Sequence, residues 1–479
     1  MNPQQQFINQ FNIGGINIYT NPLSPETQDG QVIRSVNFDS YPFGGKIKRP
    51  GYGTFLGTTT GASVKNLFSW TKDDGTSIFV YKFSGSLLEY YNAGIGTATD
   101  WSTCGNGTFT GSHIGFSILN NTMILGDGVG STRHTTNGTS FTDTVLAPVG
   151  EFFEQFQNRV YIGGTSSTLF YSVTNDATNW NTSGTSDSSS LKIPGAGKIN
   201  KVYKLGNILS ASKTARNILQ WDGFTLYDTS SNLGMSSPYS YGTVENSGFY
   251  INPLGVYVAD GNGAKLISNA VTRYFYNDNN TGVLGTVFGS APGGVIKYDY
   301  FTALGSIRDD FTNEPLNNAV LKYNFQKNEF LTYQFTDPPT SFATYIDNGG
   351  SEQFIYGGTN GQVYKYGGTY TTDNGAAIPC VLDMILTGKQ PQIEKDWRWF
   401  WGFFNPGCEG RVQVALANTF TKEEKIWVDL GDATNGIVQY MFPTGSRSRL
   451  LYVRVTESSK TARINFYGCS LSYHVKNPG

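Results

Sequence analysis

One pattern limits what this chain can fold into more than any other: a short β run, often closing on Gly or Ala, that keeps returning. It reads Ile78-Phe-Val-Tyr-Lys82, Thr122-Met-Ile-Leu-Gly126, Arg159-Val-Tyr-Ile-Gly163, Asn207-Ile-Leu-Ser-Ala211, Gly255-Val-Tyr-Val-Ala259, Tyr300-Phe-Thr-Ala-Leu304 and Gln353-Phe-Ile-Tyr-Gly357. Successive runs begin 37 to 53 residues apart, close to the ~40–50 residues of a four-stranded propeller blade. Several are followed by a second strand of mixed aromatic and polar residues, such as Leu87-Leu-Glu-Tyr-Tyr91 and Val363-Tyr-Lys-Tyr366. Hairpin dipeptides that tolerate positive φ separate them, among them Asp74-Gly75, Asn106-Gly107, Asn137-Gly138 and Asn360-Gly361. A single blade exposes two apolar faces and is unstable alone, so the repeat predicts a closed ring.

From Ile378 onward the repeat stops and alternation becomes stricter. Strands are expected at Ile378–Leu386, Trp397–Phe404, Arg411–Ala417, Lys425–Leu430, Ile437–Met441, Arg449–Thr456, Thr461–Tyr467 and Cys469–Val475. Eight short strands in this length suit a jelly-roll-like β-sandwich. The expected organisation is therefore all-β: a β-propeller of about seven blades over 51–374 and a sandwich over 375–479. An N-terminal segment, 1–50, closes the propeller, its strand near Val32–Phe38 pairing within the last blade near Phe354–Tyr366. Pro50 and Gly51 end that segment, because Pro cannot continue a ladder. The polar stretches Asn175 to Ser190 and Arg308 to Asn318 are expected to project as contact loops.

Composition narrows function. Lys and Arg number 34 against 36 Asp and Glu, and Lys46-Ile-Lys-Arg49 is the one basic cluster, so affinity for phosphate backbones is not expected. The start, Met1-Asn-Pro-Gln-Gln-Gln6, lacks a secretory pattern, and the most apolar stretch, Trp397 to Phe404, is too short to span a bilayer. Synthesis in a cytoplasm and no membrane span are expected. Cys104, Cys380, Cys408 and Cys469 form no C-x-x-C pair and read as buried thiols. His113, His134 and His474 stand far apart with no metal-ligand spacing. Asp73-Asp74 and Asp309-Asp310 are adjacent pairs whose side chains point apart on a strand, and they read as solvated turns. Neither catalytic residues, nor a metal, nor a cofactor is expected.

The Trp397, Trp399, Trp401 stripe is the strongest interaction candidate. Residues two apart on a strand share a face, so three indoles would align, with Arg398, Phe400 and Phe404 facing the other way. A sandwich core, a carbohydrate platform and a subunit interface are all open readings of this stripe. Ser172-Val-Thr-Asn-Asp176-Ala-Thr-Asn-Trp180 is an imperfect Asp box, echoed by Ala98-Thr-Asp-Trp101. Asp boxes are hairpin turns that stabilise propellers, so Trp101 and Trp180 are expected to pack within or between blades.

The first fifty residues carry a further order of elements: Gly14-Gly15, Asn21-Pro22-Leu23, Asn37-Phe38-Asp39, then Lys48-Arg49-Pro50-Gly51-Tyr52. That order resembles the opening of the tail nozzle, tail hub or DNA-stabilisation proteins of short-tailed bacteriophages. Lys395-Asp-Trp-Arg-Trp-Phe-Trp401, Arg449-Leu-Leu-Tyr-Val-Arg-Val455 and Phe466-Tyr-Gly-Cys-Ser-Leu-Ser-Tyr473 resemble the family's closing strands. The resemblance implies structural positions at Asp39, Arg49, Pro50 and Gly51. It also implies a non-enzymatic virion protein, a homo-oligomeric ring of about six copies around the DNA exit channel. Its partners would be the portal, adaptor and other tail proteins, with DNA passing without sequence-specific binding. The alternative is a carbohydrate-binding or carbohydrate-cleaving propeller of a phage receptor-binding protein.

Overall fold

The computed structural model of the chain describes residues 5–18, 29–41, 44–57, 61–183, 186–215, 218–230, 233–260, 263–275, 282–284, 287–308, 315–419 and 425–475. Six antiparallel four-stranded sheets follow one another around a ring. Blade 1 runs Val64–Thr71, Ile78–Ser84, Leu87–Asn92 and Ser102–Thr108; blades 2 to 5 begin at Gly115–Leu119, Phe152–Phe156, Ile199–Leu205 and Gly242–Val244. The recurring runs become interior strands of their sheets. Ile78–Ser84 is buried at every position, which is why it reads as a continuous apolar run rather than an alternating one.

Blade 6 closes the ring across the chain. Pro339–Ile346, Glu352–Gly358 and Val363–Tyr366 supply three strands, and Tyr52–Thr54 pairs antiparallel with Val363–Tyr366 as the fourth. Closure by an early strand is as expected, but the strand is a different one. Gln31–Val36, expected in this blade, lies instead between Cys380–Leu386 (antiparallel) and Glu329–Gln334 (parallel). The physical reason is burial on both faces: Val32, Ile33 and Val36 are all buried, so the strand needs a central place, whereas a blade's outer edge leaves one side open to water.

The propeller has six blades, not about seven. The run Tyr300–Leu304, expected to head its own blade, lies in Asp299–Arg308 within a ten-stranded sheet. In that sheet Asp299–Arg308, Pro315–Asn324 and Glu329–Gln334 continue without interruption through Gln31–Val36 into Cys380–Leu386, Leu450–Glu457, Arg411–Ala417 and Val428–Asp432. Its strand Gly293–Ile296 contacts Gly242–Val244 of blade 5 and Pro339–Ile346 of blade 6, filling the place between them. Of the stretch Arg308 to Asn318, expected as a loop, residues 315–318 belong to Pro315–Asn324; 309–314, with Asp309 and Asp310, lie outside the described residues, as do 184–185 of the other loop and Asn21-Pro22-Leu23.

A second, seven-stranded sheet orders Phe38–Ser40, Lys46–Lys48, Asn465–Val475, Lys395–Phe404 and Ile437–Met441. Gln5–Gln10 also lies on Asn465–Val475, and Arg447–Ser448 on Lys395–Phe404. Trp397, Phe400 and Leu471 of this sheet share one buried cluster with Leu382, Val453 and Val455 of the ten-stranded sheet. The same cluster reaches Phe249 and Val256 in blade 5. The described strands of segment 1–50 therefore belong to the seven- and ten-stranded sheets, and the strand just after it, Tyr52–Thr54, belongs to the propeller.

The Trp stripe does not keep one face. A bulge between Trp397 and Trp399 shifts the register against Asn465–Val475. It turns Trp397 into the core beside Phe400 and Phe404 and leaves Trp399 and Trp401 on the opposite, open face. Trp397 is fully buried, its Nε1 donating to Ser448 Oγ at 2.8 Å. We predict that Trp397→Ala lowers stability by about 3–5 kcal/mol, while Trp401→Ala costs less than half as much. Equal losses in denaturant unfolding would show that the bulge does not separate the indoles.

Candidate functional site

Three features merit description as sites. The first is a buried clasp built from the N-terminal motif. Asn37 adopts φ 60°, a conformation that Asn tolerates better than most residues. Its Oδ1 accepts from Arg49 Nε and from the Gln334 amide, both at 2.8 Å, and its Nδ2 donates to Pro379 O at 2.7 Å. Arg49 is 1% exposed. It grips Asp373 through two bonds of 2.9 and 2.6 Å, donates to Gln334 O at 2.7 Å, and lies over the Phe335 ring at 4.6 Å. Burial works against its charge, but the Asp373 carboxylate holds the guanidinium pKa above its ordinary value. At Gly51 a Cβ would stand 2.0 Å from Thr372 O, so no side chain fits there. Pro50 carries the carbonyl that accepts from Arg49 Nη1 at 2.9 Å.

The neighbouring cations are equally internal. Lys322 sits 2.9 Å from both Asp39 and Asp299; Lys46 faces Glu329 at 3.6 Å; Lys48 meets Glu457 at 2.7 Å. Burial opposes ionisation of Asp39, yet Lys322 and its hydrogen bonds hold the carboxyl below the usual range. The chain's one basic cluster, Lys46 to Arg49, thus points inward to carboxylates. We predict that Arg49→Met, which strands the Asp373 charge, costs about 3–5 kcal/mol. Adding Asp373→Asn should recover part of that loss in thermal melts; no recovery would mean that the pair is not coupled.

The second feature is a cavity of about 230 Å³ on the propeller axis, lined by residues of successive blades that include Lys65, His113, Glu151, Lys201, Tyr239 and Ser341. Tyr239 lies on a short 3-10 turn, Pro238–Ser240, held by Ser237 Oγ accepting from the Tyr239 amide. Its hydroxyl donates to Glu151 Oε1 at 2.5 Å, and the His113 ring stacks on it at 3.5 Å. Burial, then the Glu151 charge, pushes the Tyr239 hydroxyl pKa up, and burial raises that of Glu151. Tyr239 therefore stays a protonated donor, the wrong state for a nucleophile. Among the described residues no group of three His, Cys, Asp or Glu is arranged to hold a metal ion. All four cysteines are buried free thiols.

Sequence reasoning missed this constellation. His113, Glu151 and Tyr239 come from different blades, and only ring closure brings them together. Burial, then Lys65, lowers the His113 pKa to about 4. The unfolded imidazole titrates at about 6.5, so the unfolded chain takes the proton first. The stabilisation from neutral His113 is full above that pH and drains away as pH falls towards 4. We predict that His113→Phe, which keeps a ring on Tyr239, flattens melting temperature against pH across this window. An unchanged acid slope would place the titration elsewhere.

The third feature is the open face of the seven-stranded sheet. Trp399 and Trp401 are half-buried, their rings 5.8 Å apart and 17° from parallel. Across the strand pairing, Trp399 sits opposite Met441, Trp401 opposite Gln439 and Phe403 opposite Ile437. Arg398, expected to face away from the indoles, pairs with Asp396 at 2.9 Å. Elsewhere Trp101 packs with Phe55 and Tyr345, between blades 1 and 6. Trp180 packs with Ile124 and Val160, between blades 2 and 3, its Nε1 donating to Ala177 O at 2.9 Å. Asp74 is an exposed turn acceptor for the Thr76 and Ser77 amides; the Ser77 bonds lead in holding its pKa down to about 2.

No family model and no curated protein matches the chain. Among solved structures it is similar to BamB from Moraxella catarrhalis, at 13% identity over 71% of this chain and 98% of that one, with a TM-score of 0.38. YCF48 from Cyanidioschyzon merolae aligns at 13% identity over 66% of this chain and 98% of that one, TM-score 0.42. The computationally designed Ika8 protein aligns at 11% identity over 66% and 99%, TM-score 0.38.

Proposed function

We propose that this chain is a structural virion subunit of a tailed phage, of the tail nozzle or hub type, acting as a ring component rather than an enzyme. The observation that supports this most is the inward turn of its basic cluster. Lys46, Lys48 and Arg49 are buried against Glu329, Glu457 and Asp373, so the segment that would attract DNA phosphates presents nothing to them. With a net charge of -2, a wall of such chains lets DNA pass without holding it. The duplex would pass between subunits. Within the propeller, Tyr239 and His113 stack in a cavity of about 230 Å³, too small to hold a double helix.

In this reading about six copies encircle the exit channel beneath portal and adaptor, and the two C-terminal sheets form a sandwich that carries subunit contacts. Synthesis is in the host cytoplasm, with the tail of the virion as destination. A carbohydrate-binding propeller is the second reading. It draws on a groove of about 460 Å³ beside blade 3, where Phe170, Tyr171 and Trp180 meet Asn181, Thr182 and Ser188. Aromatic faces with neutral hydroxyls and amides are the chemistry that sugars need.

Native mass spectrometry with negative-stain imaging of the purified chain tests the proposal. Closed rings of about six copies, with no retention of duplex DNA at physiological salt, are expected. A monomer at every concentration, or turnover of a glycan, would overturn it.

A further inference from the structure

The register of the seven-stranded sheet arranges its open side into three rows. In the first, Phe7 and Trp399 flank Ser472, and Met441 stands beyond Trp399. In the second, Asn9, Ser470, Trp401 and Gln439 follow one another. In the third, Phe11 lies 5.5 Å from Phe403, and Ile437 lies beyond. Gly468 makes that last row possible, since a Cβ there would come within 2.8 Å of the Phe11 ring. Directly opposed residues of antiparallel strands project to the same side, so seven large apolar side chains share this face.

Phe7 is 59% exposed, Phe11 43%, Ile437 54% and Met441 62%. At about 200 Å² per large side chain, these four alone leave about 400 Å² of apolar surface in water, the size of the largest patch on a typical monomer, which is often a functional surface. No Lys, Arg, Asp or Glu stands in the three rows. Charge begins at the margin, where Asp396 pairs with Arg398. Aromatic and Met residues at the centre and ionic groups at the rim are the anatomy of a protein interface, and a stable one buries about 800 Å² per partner.

The face also ends in an unpaired edge. Ile437–Met441 pairs with Lys395–Phe404 on one side, and no strand among the described residues pairs with the other. The Phe442 amide donates to Arg398 O and the Phe404 amide to Gly436 O. Because ladder bonds alternate, Ile437, Gln439 and Met441 direct their N–H and C=O groups outward. A strand whose exposed side chains alternate apolar, polar, apolar is ready to accept another protein strand.

We propose that this face and edge are the contact by which one copy of the chain docks on the next. The proposal rests on the ring reading above, which requires a large copy-to-copy surface. A sugar platform fits less well: the two indoles are half-buried, and Phe7, Ile437 and Met441, exposed around them, offer no hydrogen bond, which leaves Asn9 and Gln439 as the exposed polar groups of the three rows.

The test uses exposed positions: Ile437→Asp with Met441→Asp in the full chain, with thermal melting as the folding control. Association is followed by light scattering against concentration, and glycan-array binding is measured on the wild type and on Trp399→Ala. The expected result is a wild type that self-associates and a double variant at least about tenfold weaker. A wild type that assembles and a folded variant that assembles equally well would overturn this surface while leaving the ring reading intact. A wild type that never assembles would overturn both. A monomer whose glycan binding is lost in Trp399→Ala would overturn the copy-to-copy contact in favour of a sugar site.

Discussion

The buried pair Arg49–Asp373 is the constraint on which the rest of the molecule depends. Asp373 follows the last propeller strand, Val363–Tyr366, and Arg49 directly precedes Tyr52–Thr54, the strand that completes that blade. Through Asn37 the same guanidinium also reaches Gln31–Val36 and the carbonyl of Pro379, at the start of the C-terminal sheets. One fully desolvated cation thus joins both ends of the propeller to the unit that follows it. Such a pair adds little net stability against an apolar replacement, but it tolerates no other register, because a misplaced partner leaves a charge unpaired in the interior. The Lys322, Lys46 and Lys48 pairs repeat the device along the same seam.

The clasp has a consequence at the far side of the seven-stranded sheet. Because Gln31–Val36 pairs with Cys380–Leu386 and Lys46–Lys48 with Asn465–Val475, Gln5–Gln10 can lie along Asn465–Val475 and bring Phe7 to the open face. That face is a composite of both chain ends. Polar chemistry is turned inward at the seam and at the propeller axis, while apolar surface is turned outward on one sheet.

Much of the fold was legible. The blade spacing, the Asn-Gly and Asp-Gly hairpins and the change of pattern near Ile378 identify a propeller followed by a different β unit. The blade number was not legible, because Tyr300–Leu304 has the same local pattern as a blade strand. Only the long-range pairing of Val36 with Thr332 shows that its sheet runs on into the C-terminal unit. Alternation likewise predicted three aligned indoles; the bulge after Trp397 breaks that period, and nothing in the side-chain pattern marks it. Lys46 to Arg49 stood out only as a short basic cluster, and its burial was not legible, since the carboxylate partners lie hundreds of residues away. The axial group of His113, Glu151 and Tyr239 was invisible for the same reason: each residue is unremarkable in its own blade.

The open sheet face is the proposed place where this chain meets its copies. Amide hydrogen exchange of the full-length protein, compared between dilute and concentrated solution, tests that claim most directly. Protection should rise on association in Ile437–Met441 and in residues 397–404, while the outer strands of blades 2 to 4 exchange unchanged. Association accompanied by new protection on those blades, with Ile437–Met441 still exchanging freely, would contradict it.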